Sequence, residues 1–469
     1  MKIITRFAPS PTGYLHIGNI RTALYSWLFA RKNKGNFILR IENTDFKRSK
    51  KIFIKNIIDT LKWLNIDWDK GPYLQSKRIN RYNSIINTML NEGKAYKCYC
   101  SKKELEKNKQ KQILNKEKIK YNGKCFDNKS KINIHLPYTV RLHIPKNKYI
   151  TFTDTIRGKI IIDNNELDDF IIKRTDGIPT YNFCVVIDDW DMKITHVIRG
   201  EEHINNTPKQ IHIINAIGAN IPIYTHVSII KDKLGKKISK RNSNLDVLKY
   251  KEKGYLPIAL LNYILRLGWS YGNKEIFSLE EMKKLFNLKN LNKSSSIFDI
   301  DKLNWFNKYY LSKLSENDML NYLKNFCNKN NININNGPKL KNLYKIFNKR
   351  CNTLEEINNL CFIFYKNPSY KNNLLIKNYL NKNTQIILEI FKKKITNIEI
   401  WSIECINNIF KIILLKLNIS YKEIAMTLRL AITGIKNTPP INNIIYLMGR
   451  KKIIYHISNA INFIKLNNL

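Results

Sequence analysis

Acidic residues are scarce in this 469-residue chain: Asp and Glu number 37 against 81 Lys and Arg, a formal net charge of +44 at pH 7. The deficit points to a polyanionic partner, and RNA or DNA is the usual one. Lys, Asn and Ile are abundant along the whole chain, so part of the surplus is a general compositional bias. Long apolar runs are also missing. The most apolar stretch, Ile409 to Leu417, is broken by Lys411 and Lys416 and is too short to cross a bilayer. No basic, apolar, small-residue order marks a secretory signal. Eight cysteines in so long a chain do not make a disulfide scaffold. The expectation is a soluble cytoplasmic protein with no membrane partner. No internal repeat is evident, and the length allows two or more domains.

What is present begins with the run Arg6 to Asn19. Ile3 to Phe7 suits a short buried strand. Pro9, Pro11 and Gly13 break it into a tight turn. Ile20, Ala23, Leu24, Trp27 and Leu28 then recur at helical spacing. His16 and Gly18 therefore sit at a helix N-terminus, where backbone N–H groups and the dipole favour a phosphate. Gly18 would let a nucleotide approach the backbone, and His16 could donate to a phosphate oxygen. A polar cap in an ordinary α/β protein is the plainer reading of these few residues alone. Far downstream stands a basic loop, Lys237-Ile238-Ser239-Lys240-Arg241.

Between these runs the texture changes twice. Phe37 to Ile41 reads as a second strand and Ile52 to Leu64 as a helix, which is βαβ patterning with a parallel sheet. From about Cys98 a Lys-rich segment, Lys102 to Lys120, precedes strand-like pieces at Tyr138 to Leu142 and Lys159 to Ile162. Thr195 to Arg199 and Tyr224 to Ile230 return to buried-strand character. From about residue 310 helical stripes dominate. Leu374, Leu375, Tyr379 and Leu380 form one, and Ile406, Ile409, Phe410, Ile413, Leu414 and Leu417 another. The Asn-rich tract 330–336 reads as loop.

Seven stretches in order support a family resemblance. They are 6–19, Arg40 to Asp45, Glu92 to Cys100, Arg174 to Phe183, Arg199 to His203, Gly235 to Arg241 and Leu265 to Trp269. The chain resembles, from end to end, the bacterial glutamyl-tRNA synthetases, a family of class I aminoacyl-tRNA synthetases. The resemblance implies an α/β fold: a Rossmann-like catalytic domain in 1–85 and 193–245, split by an inserted α+β acceptor-stem module at 86–192. A connecting domain at 246–315 and an all-helical anticodon-binding region at 316–469 follow. The implied partners are tRNA(Glu), L-glutamate and ATP with Mg2+, and the implied state is a monomer.

The implied chemistry has two steps. Glutamate attacks the α-phosphorus of ATP, and the tRNA terminal ribose then takes the glutamyl group. The resemblance places Pro9, His16, Gly18, Asn19, Lys237, Ser239 and Lys240 at ATP, with His16, Lys237 and Lys240 meeting the charge that develops on the phosphates. It places Arg6 and Arg199 at the substrate side-chain carboxylate, Tyr181, Asn182 and Ser10 beside it, and Glu42 at the ammonium. Arginine binds a carboxylate bidentately, which suits glutamate over glutamine. For Arg199, a structural pair with Glu201 or Glu202 is the competing reading. Asn19 and Asn43 depart from the family pattern without touching the main chemistry.

Cys98, Cys100 and Cys125 are candidates for zinc, since Cys-x-Cys spacing lets two thiolates reach one metal. In the family a His commonly follows two residues after the third cysteine. Asp127 holds that place here as the expected fourth ligand, with His135 as an alternative; three reduced cysteines without metal is the plain alternative. Glutaminyl-tRNA synthetase is a close rival, but it carries a β-barrel anticodon region, and residues 310–469 read helical. The short tRNA-modifying glutamylation enzymes lack that region. A non-catalytic tRNA-binding relative would be expected to lose His16 or Lys240.

Overall fold

The computed structural model describes residues 2–127, 136–237, 246–347, 350–370 and 379–467. His135, Ser239, Lys240, Leu374 and Leu375 lie outside these residues. The chain divides into two compact units, Met1–Phe306 and Asn307–Leu469.

The first unit opens with β1 (Ile4–Phe7), α1 (Ile17–Lys32), β2 (Asn36–Ile41), α2 (Lys51–Trp63) and β3 (Lys70–Leu74). β1, β2 and β3 pair in parallel, with Arg6 opposite Ile38 and Arg40 opposite Tyr73. A parallel strand covered on both faces reads as a continuous apolar run, as Phe37-Ile38-Leu39 does. Arg40 interrupts that run and is nonetheless fully buried.

There follow α3 (Ile79–Asn91), β4 (Ala95–Cys98), α4 (Lys102–Leu114), α5 (Lys124–Asp127), β5 (Thr139–Leu142), β6 (Tyr149–Asp154), β7 (Gly158–Asp163), β8 (Ile171–Lys173) and α6 (Tyr181–Asp191). The first part of the Lys-rich segment, Lys102–Leu114, forms α4, and Ser101 and Glu104 close a capping box at its start. β4, β5 and β8 make a small antiparallel sheet. Its apolar face packs with α3 and α6 through Ile86, Met89, Val140, Phe183 and Ile187.

β9 (His196–Gly200), α7 (Thr207–Ala216) and β10 (Ile223–Val227) continue the first unit. The second sheet has the order β7-β6-β10-β9. β6 meets β10 in parallel at Asp154 and Tyr224, so the β6–β7 hairpin extends this sheet. The two sheets join where the Thr195 N–H donates to the Ile4 carbonyl at 2.9 Å and the Ile4 N–H donates to Thr195 Oγ1 at 2.9 Å. The helices Val247–Glu252, Pro257–Arg266 and Leu279–Leu285 come next, and Ile300–Lys313 carries the chain onward.

The second unit is helical among its described residues. Glu316–Lys329, Leu340–Phe347 and Leu354–Phe362 pack on one another. Lys382–Thr396, Ile403–Leu417, Tyr421–Thr433, Ile441–Met448 and Arg450–Leu466 form a second group. The stripe Ile406, Ile409, Phe410 and Ile413 is buried, whereas Leu414 and Leu417 are half-buried. The Asn-rich tract is mostly loop but winds one 3-10 turn at Ile334–Asn336, where the Asn333 side chain accepts from the Asn335 N–H.

Candidate active site

Open α/β sheets bind ligands beyond the carboxyl ends of their strands. A cavity of about 230 Å3 lies there in this chain. β1 delivers Arg6 and the following Pro9 and Ser10. The start of α1 delivers His16, Gly18 and Asn19, and the end of β2 delivers Glu42. Tyr181 opens α6, Arg199 lies near the end of β9, and Lys237 is the last described residue before position 246; all these residues line the cavity. Asn182 does not line it. Its Oδ1 accepts from Gln210 Nε2 at 3.0 Å, and Gln210 Oε1 accepts from Arg199 Nη1 at 2.7 Å, so Asn182 reaches the site through Gln210.

The helix entrance differs from the expectation in one respect. His16 is the N-cap of α1, and its Nδ1 accepts the Gly18 N–H at 3.1 Å. That N–H is therefore satisfied within the protein rather than offered to a phosphate. A Cβ at Gly18 would lie 3.0 Å from His16 Cε1, so glycine here accommodates the histidine ring. Because Nδ1 accepts, the proton of the neutral ring sits on Nε2. Asn19 closes the reciprocal bond, its Oδ1 accepting the His16 N–H at 3.3 Å.

Behind the cavity wall lies a buried charge network. Arg40 approaches Asp189 at 2.8 Å, Glu42 at 3.3 Å and Asp188 at 3.5 Å. Arg6 Nε contacts Asp189 Oδ1 at 3.2 Å. Burial penalises the charge on Asp189, but Arg6 and Arg40 outweigh it and hold its pKa below the ordinary value. Burial pushes Glu42 up to about 7 against the pull of Arg40 and Arg6. Arg199 stands apart. It is buried, and its donors go to His226 Nε2 at 3.1 Å, Gln210 at 2.7 Å and Thr207 Oγ1 at 2.7 Å, all neutral groups. Among the described residues no carboxylate lies within ion-pair distance of it, so the pairing with Glu201 or Glu202 does not form. Glu201 instead accepts from Arg157 and from the Ile229 N–H, and Glu202 stands 3.8 Å from Lys237 Nζ.

The three cysteines also converge. The sulfurs of Cys98, Cys100 and Cys125 all lie within 4.8 Å of one another, with Cys100 and Cys125 3.5 Å apart. One zinc with Zn–S bonds of about 2.3 Å requires sulfurs roughly 3.8 Å apart, so the cluster fits that ion. Asp127 ends the short helix that carries Cys125; its side chain lies outside the described residues. The Tyr121 hydroxyl faces the cluster, 3.5 Å from Cys98 Sγ and 3.7 Å from Cys100 Sγ.

Several participants carried no motif signal. Gln210, Thr207 and His226 surround Arg199, and Asp189 holds Arg6. The acidic run Asp188-Asp189-Trp190-Asp191 at the end of α6 was a usable hint, because acids at a helix C-terminus oppose the dipole and need cations from elsewhere.

Two regions of the chain match known protein families. Residues 2–305 match the tRNA synthetases class I (E and Q), catalytic domain, and residues 309–461 match an anticodon binding domain. The chain belongs to the class I tRNA synthetases of the E and Q type. Among similar proteins is the glutamate--tRNA ligase of Wigglesworthia glossinidia brevipalpis, 53% identical over 467 residues, covering 100% of this chain and 99% of that one. The glutamate--tRNA ligase of Buchnera aphidicola subsp. Acyrthosiphon pisum (strain APS) is 49% identical over 465 residues, covering 99% and 100%. The crystal structure of a glutamate tRNA ligase from Elizabethkingia meningosepticum CCUG26117, in complex with its amino acid, superposes with a TM-score of 0.80 at 30% identity. It covers 99% of this chain and 100% of that one.

Proposed function

We propose that the chain ligates L-glutamate to the 3′ end of tRNA(Glu) through a glutamyl-adenylate, releasing pyrophosphate and then AMP. The observation that best supports glutamate is Arg199, a buried guanidinium held by neutral acceptors. A buried cation without an acid partner is costly, and an incoming carboxylate removes that cost. Glutamine brings no charge and leaves the cost in place.

The roles follow from position. Arg199 and Arg6 hold the side-chain carboxylate, with Tyr181 and Ser10 on the walls and Asn182 acting through Gln210. Glu42 takes the ammonium. His16 presents its Nε2–H to a phosphate, while Lys237, Ser239 and Lys240 meet the remaining phosphate charge. Pro9, Gly18 and Asn19 shape the nucleotide side. Fixed donors aimed at charge that grows in the transition state lower the barrier without reorganisation. Mg2+ supplies charge neutralisation when it arrives with ATP. Cys98, Cys100 and Cys125 would hold a structural zinc, with Asp127, His135 or the nearby Tyr121 hydroxyl as the fourth ligand.

The surplus of basic residues and the helical second unit suit a tRNA partner. We place the enzyme in the cytoplasm as a monomer; no described helix is long and apolar enough to cross a membrane. ATP–pyrophosphate exchange with glutamate and with glutamine, each with and without tRNA(Glu), tests the reading. Exchange is expected with glutamate and tRNA. Exchange supported equally by glutamine would overturn the amino-acid assignment.

A further inference from the structure

We propose that His226, oriented by Asp154, is a positioning residue that aims Arg199 at the substrate carboxylate while leaving the arginine charge unspent. The proposal rests on the glutamate pocket described above.

Arg199 sits near the end of β9 and His226 at the neighbouring position of β10; the two are paired in the parallel register. Arg199 Nε donates to His226 Nε2 at 3.1 Å. A guanidinium has no lone pair to offer, so Nε2 must be the unprotonated nitrogen. On the other side His226 Nδ1 lies 2.8 Å from Asp154 Oδ2, and the same oxygen accepts the His226 backbone N–H at 2.9 Å. Both side chains are fully buried. Asp154 also accepts the N–H groups of Ile156 and Arg157, each at 2.9 Å, which favours its ionised form. An ionised carboxylate only accepts, so Nδ1 carries the proton. The imidazole is fixed in one neutral tautomer by a carboxylate on one side and a guanidinium on the other.

This choice of residue has a consequence for selectivity. A carboxylate in the place of His226 Nε2 would hold Arg199 equally well but neutralise it, and glutamate would gain little over glutamine. A neutral acceptor fixes the guanidinium plane and leaves its charge for the substrate. Asp154 still supplies a negative charge, but the imidazole ring separates it from Arg199. The groups facing His226 are Asp154 on β6, Arg199 on β9, Thr207 on α7, whose Oγ1 lies 3.1 Å away, and the stacked ring of Tyr224 on its own strand. Arg157 and His203 act on it from farther off. Burial, with the charge of Arg199, holds the imidazole pKa below its ordinary value despite Asp154.

The test uses the isosteric pair His226→Gln and His226→Glu in the full-length enzyme, measuring aminoacylation with varied glutamate, glutamine and ATP. Both are made together with Asp154→Asn, so that no second buried carboxylate faces position 226; Gln then offers a neutral acceptor to Arg199, and Glu a charged one of the same shape. His226→Gln keeps a neutral acceptor and is expected to raise the glutamate KM by about tenfold or less, the equivalent of one ordinary hydrogen bond. His226→Glu should raise it by a further order of magnitude, roughly, and lower the glutamate-to-glutamine ratio of kcat/KM. The ATP KM should stay within about twofold in both, since a general loss of structure would move it as well. Equal effects of Gln and Glu on the ratio would overturn the proposal. Should His226→Glu fail to fold, 15N imidazole spectra of the wild type, with His226 assigned by its absence in His226→Gln, decide the matter. A neutral Nδ1–H form at neutral pH is expected, and an Nε2–H form or an imidazolium there would overturn it. If wild type failed to use glutamate, the pocket reading itself would fall; an active wild type with indifferent variants would remove only the role of His226.

Discussion

Arg6 and Asp189 form a buried ion pair, Nε to Oδ1 at 3.2 Å, and Arg40 Nη1 reaches the same oxygen at 2.8 Å. One carboxylate on α6 thus anchors guanidinium groups from β1 and β2. Asp189→Asn removes the shared charge and leaves buried cations undercompensated. Removing one partner of a buried pair costs about 3–5 kcal/mol. The variant should show a clearly lower Tm together with a raised glutamate KM. An unchanged Tm would mean that solvent or Asp188 takes over the compensation.

Arg199→Ala should lower kcat/KM for glutamate by roughly ten- to two-hundredfold, from the loss of about 1.5–3 kcal/mol of charged hydrogen bonding. Glutamine should lose much less, so the ratio of the two falls. Equal losses for both amino acids would assign Arg199 to the fold or to the α-carboxylate instead.

Glu42 carries a proton-linked prediction. Its pKa rises from 4.5 to about 7 on burial, so between those values the folded state binds more protons than the unfolded one. Stability contributed by this group therefore falls as pH rises through that window. Pairing with the substrate ammonium favours the ionised form, so glutamate binding near neutral pH should release a proton from Glu42. Calorimetric titration in buffers of different ionisation enthalpy measures the release. Glu42→Gln should abolish it, and a release that persists in that variant would point to another group.

His16 combines a cap with a phosphate donor, and two substitutions separate them. Asn is as good an N-cap as any residue. His16→Asn should therefore leave Tm nearly unchanged while slowing adenylate formation by about a hundredfold, the usual cost of losing one fixed donor. His16→Ala should slow the reaction similarly and also cost about 0.5–2 kcal/mol of stability. A His16→Asn enzyme with wild-type single-turnover rates would reduce His16 to its capping role.

The cysteine cluster should bind about one zinc per chain, since Cys98, Cys100 and Cys125 converge closely enough to supply three positions of a tetrahedral site. Cys125→Ser should lose the metal by elemental analysis of protein purified without chelator. Comparing Tyr121→Phe, Asp127→Ala and His135→Ala identifies the fourth ligand by which variant binds zinc more weakly. A metal-free wild type with full activity would leave three reduced thiols packed around a tyrosine.

The sequence by itself determined the local elements. Ile4–Phe7, the turn through Pro9, Pro11 and Gly13, and the helix from Ile17 follow from strand propensity, turn residues and helical spacing, all short-range properties. It also named the cavity residues Arg6, His16, Glu42, Tyr181 and Arg199, because each lies inside a recognisable run. The tertiary structure alone decided which charges meet. Arg40 and Asp189 are 149 residues apart, and Asp154 reaches His226 across 72. No local pattern encodes such pairs, since they arise only when β2 faces α6 and when the β6–β7 hairpin joins β10. The same long-range packing set Arg199 beside His226 on the neighbouring strand. It also surrounded Arg199 with neutral acceptors rather than with Glu201 or Glu202. Burial made these choices matter, because a charge removed from water must find its partner in the fold or in the substrate.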